Sequence, residues 1–134
     1  SLGSKLKSVE DLMLTGKKIP FINENSNMKK ALKFMSQKKL GVLVARNNKK
    51  KTTGVVVDGQ IRRKSEKKVS LQKLRVKDVM TKNPISINPD ILAAKALALM
   101  NSKRITFLCV HNKNQKNKTI GVIHIHNILE NNIQ

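Results

Sequence analysis

The sequence predicts a mixed α/β (α+β) fold made of two repeated units, each about β-α-β-β-α, packed as a pseudo-twofold pair. Three observations predict it. The chain is written twice: Val9-Glu10-Asp11-Leu12-Met13 recurs as Val76-Lys77-Asp78-Val79-Met80, and Gly54-Val55-Val56 recurs as Gly121-Val122-Ile123, both at an offset of 67. Between these, Ile22-Asn23 recurs as Ile87-Asn88, and Ala31-Leu32 with Met35 as Ala96-Leu97 with Met100, at an offset of 65. The length changes fall in stretches that read as loops, as expected of homologous units. Each copy also places one stripe of helical period among short apolar runs of strand type.

In the first copy, Ser8 caps a short helical turn that runs through Met13. Ile19–Ile22 reads as a short strand entered at Pro20, where a missing N–H is tolerated. Ser26 is the expected N-cap of the next helix, in which Met28, Ala31, Leu32 and Met35 follow the i, i+3, i+4, i+7 spacing of one apolar face. Val42–Ala45 and Gly54–Val57 are then two strands around the polar loop Arg46–Lys51. Continuous Val-rich runs of this length suit strands buried on both faces. A helical tail from about Gln60 to Lys64 closes the unit.

The second copy repeats the pattern. Ala93, Ala96, Leu97 and Met100 form the stripe, Phe107–His111 and Gly121–Ile125 the strands, and about Asn127 to Asn131 the tail. The domain reading is therefore 1–8 as a linker, 9–64 as the first repeat, 65–75 as the connection and 76–134 as the second repeat. A unit of about 60 residues is small for independent stability, so the two must pack together. The cleft between them is the expected ligand site. Met28, Met35, Leu97, Leu99 and Met100 are expected in the core or in a surface shared with a second copy.

Among 134 residues, 28 Lys+Arg stand against 8 Asp+Glu, for a formal charge of +20, and the only aromatic rings besides histidine are Phe21, Phe34 and Phe107. The charge would draw phosphates or acidic surfaces over a Debye length of about 8 Å. A basic nucleic-acid-binding protein is thus the alternative reading. Against it, the lysines are dispersed, single-strand binders use aromatic platforms that are scarce here, and the abundance of Lys, Asn and Ile follows from A+T-rich codons. Cys109 lies in the apolar run Phe107–Val110 and reads as a small hydrophobe in a reducing compartment. No stretch approaches the roughly 18 apolar residues of a membrane span. The chain is read as cytoplasmic, and its opening, Ser1-Leu2-Gly3-Ser4, as a cut from a longer polypeptide.

The duplicated V-x-D-h-M opening, the Pro-containing first strand, the A-L-x-x-M helix and the closing G-h-h resemble the CBS domain, which commonly occurs as a tandem pair. More narrowly, Leu2–Leu6, Met13–Gly16 with Ile19-Pro20, Gly54–Arg63 and Gly121–Leu129 resemble the C-terminal half of bacterial D-arabinose 5-phosphate isomerases of lipopolysaccharide synthesis. That resemblance implies an N-terminal sugar-isomerase domain of the same polypeptide and a regulatory, oligomerising role for the present chain. It implies a homodimer or higher homo-oligomer, and an adenine nucleotide or CMP-sugar as regulatory ligand, with no fixed cofactor.

CBS pairs bind nucleotides through backbone groups of the first strand and a Ser/Thr-x-x-Asp segment after the last strand. Carried over, the resemblance makes Ile19 and Pro20 candidates in the first copy and Ile85 in the second. The Ser/Thr positions hold Val57 and His124, and the Asp positions hold Gln60 and Asn127. Both copies depart from the pattern, and an amide lacks the bidentate acceptor that a carboxylate offers to two ribose hydroxyls, which puts tight adenylate binding in doubt. Asp58 and Thr106 flank these segments. Arg62 follows on the helix that opens after Asp58-Gly59, where a guanidinium holds phosphate bidentately; Lys103 and Arg104 precede the strand at Ile105. His124-x-His126 has chelating spacing if the strand persists, with His111 as a third ligand, but no carboxylate or Cys matches and no metal is expected. Nothing pairs a nucleophile with a base, so no catalytic residue is assigned.

Overall fold

The computed structural model describes residues 3, 6–66 and 70–133 of the chain, and parts of the expected linker and connection, at 1, 2, 4, 5 and 67–69, lie outside these. The chain divides into two compact units. One is Pro20–Pro84; the other joins Ser1–Ile19 to Ile85–Gln134.

The unit Pro20–Pro84 is built on a sheet of order β1-β2-β3-β4, from β1 (Phe21–Asn23), β2 (Val42–Arg46), β3 (Thr52–Val57) and β4 (Thr81–Lys82). The β1 and β2 strands are parallel, and the remaining pairs antiparallel. Helix α2 (Met28–Lys38) connects β1 to β2, α3 (Asp58–Glu66) follows β3, and α4 (Val76–Val79) precedes β4. The predicted stripe is the core: Met28, Ala31 and Met35 are buried with Ile22, Leu43, Ala45 and Val56.

Several boundaries differ from the expectation: the helical tails begin two residues earlier than expected, at Asp58 and Ile125, and two further differences lie at the start of this unit. The first strand begins at Phe21 rather than Ile19, because the 3-10 turn Gly16–Lys18 takes Ile19 as its cap, with Ile19 N–H donating to the Gly16 carbonyl at 3.1 Å. Pro20 cannot donate, yet its carbonyl accepts from Val44 N–H at 2.8 Å. The N-cap of α2 is Asn27, not Ser26: Asn27 Oδ1 accepts from Lys30 N–H at 2.8 Å. Ser26 is held instead in a turn, its N–H on the Asn23 carbonyl and its carbonyl accepting from Val76 N–H at 2.8 Å.

The second unit has the sheet order β5-β6-β7, from β5 (Ser86–Ile87), β6 (Phe107–Asn112) and β7 (Gln115–His124), with β5 and β6 parallel and β6 and β7 antiparallel. Helix α1 (Val9–Leu12) leads into this unit, α5 (Ala93–Lys103) connects β5 to β6, and α6 (Ile125–Leu129) follows β7. Val9, Ala93, Ala96, Leu97, Met100, Leu108, Ile123 and Ile128 share its core, with Leu99 packed against it. The last hairpin is longer than predicted. Its pairing continues past a bulge to Asn112 opposite Gln115, leaving Lys113 and Asn114 as the turn, with Asn114 N–H on Asn112 Oδ1 at 2.9 Å. Cys109 is buried, and burial pushes its thiol up to about 12, so it packs as a neutral group.

The units cut across the sequence repeats. The first copy's opening motif packs with the body of the second copy, and the second copy's opening motif with the body of the first. Leu14 bridges to Val122 with both backbone bonds made, at 2.8 and 3.1 Å. At the equivalent place 67 residues on, Thr81 pairs with Val55. The repeated glycine permits the approach. A Cβ on Gly54 would stand 2.6 Å from the Thr81 carbonyl and 2.7 Å from Met80 Sδ, and one on Gly121 would strike Met13 Sδ and lie 3.0 Å from the Leu14 carbonyl. At Gly54 no L-residue fits without displacing the Thr81 backbone, and at Gly121 none fits without displacing the Met13 side chain. In both opening motifs the Asp caps its own turn: Asp11 Oδ2 accepts from Ser8 N–H at 2.9 Å and Asp78 Oδ2 from Arg75 N–H at 2.8 Å.

Gly54→Ala and Gly121→Ala are therefore each expected to destabilise the protein by about 2–3 kcal/mol, the upper range for overpacking. Denaturant titration reads this, and Met13→Ala should recover part of the Gly121→Ala loss because it removes the atom that the new methyl meets.

Candidate functional site

At the end of each last strand the chain turns directly into a helix, and the two turns are built alike. In the unit Pro20–Pro84, Val57 N–H donates to Gln60 Oε1 at 2.9 Å, and Asp58 N–H donates to the Gly41 carbonyl at 3.2 Å. In the other unit, His124 N–H donates to Asn127 Oδ1 at 2.8 Å, and Ile125 N–H to the Thr106 carbonyl at 2.7 Å. The amides at the two Asp positions thus act alike, each turning its oxygen back to the backbone N–H three residues upstream. Gln60 also donates its amide N–H to Thr81 Oγ1 on β4.

This hydrogen bonding limits what the turns can offer a ligand. Each amide oxygen has one lone pair left, where a carboxylate would present a second, charged oxygen. The Gln60 donor is engaged with Thr81, whereas the Asn127 Nδ2 donor has no partner among the described residues. Val57, at the Ser/Thr position, supplies no hydroxyl. Beside it, Asp58 and Gly41 border a shallow pocket of about 340 Å³ lined also by Leu32, Met35, Ser36, Lys39 and Ile61.

The second turn carries a histidine pair. The strand ends at His124 and α6 begins at Ile125, so the expectation that His124 and His126 share the side of a strand does not hold. His124 is instead the N-cap, its Nδ1 accepting from His126 N–H at 3.2 Å, and the two rings stack with centroids 4.8 Å apart. The bond requires Nδ1 unprotonated, which places the neutral ring's proton on Nε2. Burial, then repulsion from His126, holds the His124 pKa below the usual histidine range. His111 is engaged elsewhere, with Nδ1 2.7 Å from Ser86 Oγ. Among the described residues no three of His, Cys, Asp and Glu gather to hold a metal ion.

The remaining candidates divide between the units. Pro20, Val57, Asp58, Gln60 and Arg62 belong to one; Ile19, Ile85, Lys103, Arg104, Thr106, His124 and Asn127 belong to the other. Ile19 is buried, whereas Ile85 is 42% exposed. Arg62, Lys103 and Arg104 are exposed cations, and Arg104 ends α5 in the left-handed region at φ 56°. Thr106 joins the second turn through its carbonyl, not its hydroxyl. Sequence reasoning passed over Thr81 and Gly41, the partners of Gln60 and Asp58. Thr81 was open to inference as the residue after the repeated Met80.

Comparison with known proteins accounts for this architecture. The family model of the CBS domain matches residues 9–67 and again 76–133. The chain belongs to the CBS domain family. As a tandem CBS pair it is similar to arabinose 5-phosphate isomerase KdsD of Yersinia pestis, 35% identical over 130 residues, which cover 96% of this chain and 39% of that protein. The chain thus spans about two fifths of the length of that relative, corresponding to its CBS region. Among solved structures, CBSX2 in complex with AMP superposes with a TM-score of 0.78 at 21% identity, covering 92% of this chain and 93% of that one. The CBS pair of protein MJ0100, in complex with 5-methylthioadenosine and S-adenosyl-L-methionine, gives 0.80 at 16%, with coverage of 93% and 94%. At these identities the structures establish the fold. Among the described residues of the CBS pair, no helix is long and apolar enough to cross a membrane.

The histidine cap gives a pH prediction. A base whose folded pKa is depressed binds fewer protons folded than unfolded, so its contribution is present above the unfolded value of about 6.5 and is lost as pH falls through the folded pKa. His111, lowered by burial and by Lys116, acts in the same direction. Denaturant midpoints should fall between pH 7.5 and pH 5, and His124→Asn, which keeps a capping oxygen without the titration, should flatten that fall.

Proposed function

We propose that this CBS pair is the regulatory and oligomerising part of a cytoplasmic D-arabinose 5-phosphate isomerase, carried beside an N-terminal sugar-isomerase domain of the same polypeptide. The observation that carries the reading is the 35% identity to arabinose 5-phosphate isomerase KdsD across 96% of the chain. The catalytic step belongs to the isomerase domain, and the present residues act on it by how they hold two or more copies together.

The ligand in this reading is a nucleotide or nucleotide sugar rather than tightly held adenylate. CBSX2 takes AMP, and the MJ0100 pair takes 5-methylthioadenosine and S-adenosyl-L-methionine. Here the two turns offer amide oxygens already bonded to backbone, an apolar Val57 and no carboxylate at the ribose positions. A CMP-sugar acid carries its own anionic groups and so demands cations instead. Arg62 is an exposed cation of the unit Pro20–Pro84, and Lys103 and Arg104 are exposed cations of the other unit, each a candidate within its own unit. A ligand that favours one arrangement of the pair over another shifts the population of arrangements by its differential affinity.

Thermal-shift titration with AMP, S-adenosyl-L-methionine and CMP-Kdo tests the reading. Binding raises stability by RT ln(1 + [L]/Kd), about 2.7 kcal/mol at a ligand concentration one hundred times Kd. The expected order is a clear rise with CMP-Kdo and a small one with the adenosyl ligands. No rise with any of them at millimolar concentration would end the sensing claim and leave a scaffold.

A further inference from the structure

The two copies share a scaffold, and that makes each a control for the other. One side of the unit Pro20–Pro84 carries a group of residues that the equivalent side of the second unit lacks. Phe21 on β1 lies under the guanidinium of Arg46, whose Cζ is 3.9 Å from the ring centroid. Phe34, on the neighbouring α2, has Lys38 Nζ 5.4 Å from its centroid. Both rings are only partly buried, whereas Phe107 is in the core.

Two adjoining hollows share Phe21, Ile22 and Asn23. One, of about 430 Å³, runs toward α2 and is bordered by Lys30, Lys33, Phe34 and Gln37. The other, of about 260 Å³, runs toward the β2–β3 hairpin and is bordered by Arg46, Asn48 and Lys50. No carboxylate lines either hollow; the acid that follows β1 in the chain is Glu24, whose backbone N–H is tied to the Arg46 carbonyl at 2.9 Å. The strand β1 forms one edge of its sheet.

At an offset of 65, the second copy has Ser86 for Phe21, His111 for Arg46, Ala98 for Lys33 and Leu99 for Phe34, while it keeps Ile87 for Ile22, Asn88 for Asn23, Lys95 for Lys30, Lys103 for Lys38 and Asn112 for Asn47. There, a plain Ser86–His111 hydrogen bond of 2.7 Å takes the place of the stacked pair. The fold itself therefore requires neither the two rings nor the cations Lys33 and Arg46.

We infer that this face of the unit Pro20–Pro84 binds a short stretch of single-stranded nucleic acid. The composition gives few aromatic rings, and the structure places both rings outside the core at this one face. The Phe21–Arg46 stack presents a planar cation on which a base can lie, a platform that every base can use. Asn23 Nδ2 donates to Asn48 Oδ1 at 2.8 Å and Asn23 Oδ1 accepts from Asn25 N–H at 2.8 Å. The Asn48 Nδ2 donor and the exposed Gln37 amide are therefore the groups at its margins that can meet base edges. Lysines at both ends of the paired hollows suit a backbone that carries a charge at each step, more than a single phosphate group. An acidic peptide would use the cations but leave the stacked plane uncovered. Duplex DNA would hide its base faces from it.

Fluorescence anisotropy of the intact chain with a labelled single-stranded oligonucleotide of about twelve residues tests this. Arg46→Lys, which keeps the charge and removes the plane, and Phe21→Leu, which keeps the apolar packing and removes the ring, are each expected to weaken binding about tenfold, the scale of one base stack. Lys73→Ala with Lys77→Ala, which removes two exposed charges elsewhere on the same unit, should change it by less than about threefold. Duplex of the same sequence should bind at least about tenfold more weakly. Circular dichroism establishes that each variant is folded. Wild-type affinity in both Arg46→Lys and Phe21→Leu overturns the inference, as does equal affinity for duplex. Complete competition by an equimolar mononucleotide also overturns it, because the face would then be a small-ligand site.

Discussion

The fold depends on a close approach between a strand without a side chain and a methionine delivered from the other copy. Gly54 lies against Met80 and Thr81, and Gly121 against Met13 and Leu14, with no room for a Cβ at either place. The opposite copy's opening motif is laid along each last strand, continuing into β4 in one sheet and making the single Leu14–Val122 bridge in the other. Val9 is fully buried in one core and Val76 in the other for the same reason. The duplication is therefore more than two small domains on one chain. Neither copy's body has its whole core without a segment from its twin, which is how units too small to be stable alone share the cost of ordering.

The same two-copy logic governs the turns after the last strands. Val57 with Gln60 and His124 with Asn127 repeat one hydrogen-bond pattern, with Gly41 and Thr106 carbonyls in matching roles. Side chains at these positions have diverged, yet the backbone geometry has not. A short polar residue at the fourth position is enough to cap the helix, so loss of the carboxylate leaves the fold intact while altering what a ligand would meet. Fold and ligand preference are in this way separable at single residues.

Much of this was legible in the chain. The apolar stripes at Met28–Met35 and Ala93–Met100 became buried helix faces, and the Val-rich runs became central strands, because burial of that apolar surface dominates the choice. What was not legible involved contacts from distant segments. Ser26 and Asn27 are both capable caps, and only the backbone bond from Val76 to Ser26 decides between them. The strand reading of His126 failed because a capped helix start at His124 has no apolar period to announce it. The length of the last hairpin was hidden by the polar, exposed Gln115–Lys118, whose pairing follows from backbone register alone. Crosswise pairing leaves no local mark at all, since Met13 would read the same opposite Gly54 as opposite Gly121.

That pairing is also the claim most open to direct test. Leu14 and Val122 exchange both backbone hydrogen bonds, so their Cα atoms stand at about 5.5 Å, within disulfide reach. In a Cys109→Ala background, Leu14→Cys with Val122→Cys should close an intramolecular disulfide under mild oxidation, whereas Leu14→Cys with Val55→Cys should not. Closure of the second pair in place of the first would mean that each copy keeps its own opening motif, and would contradict the account.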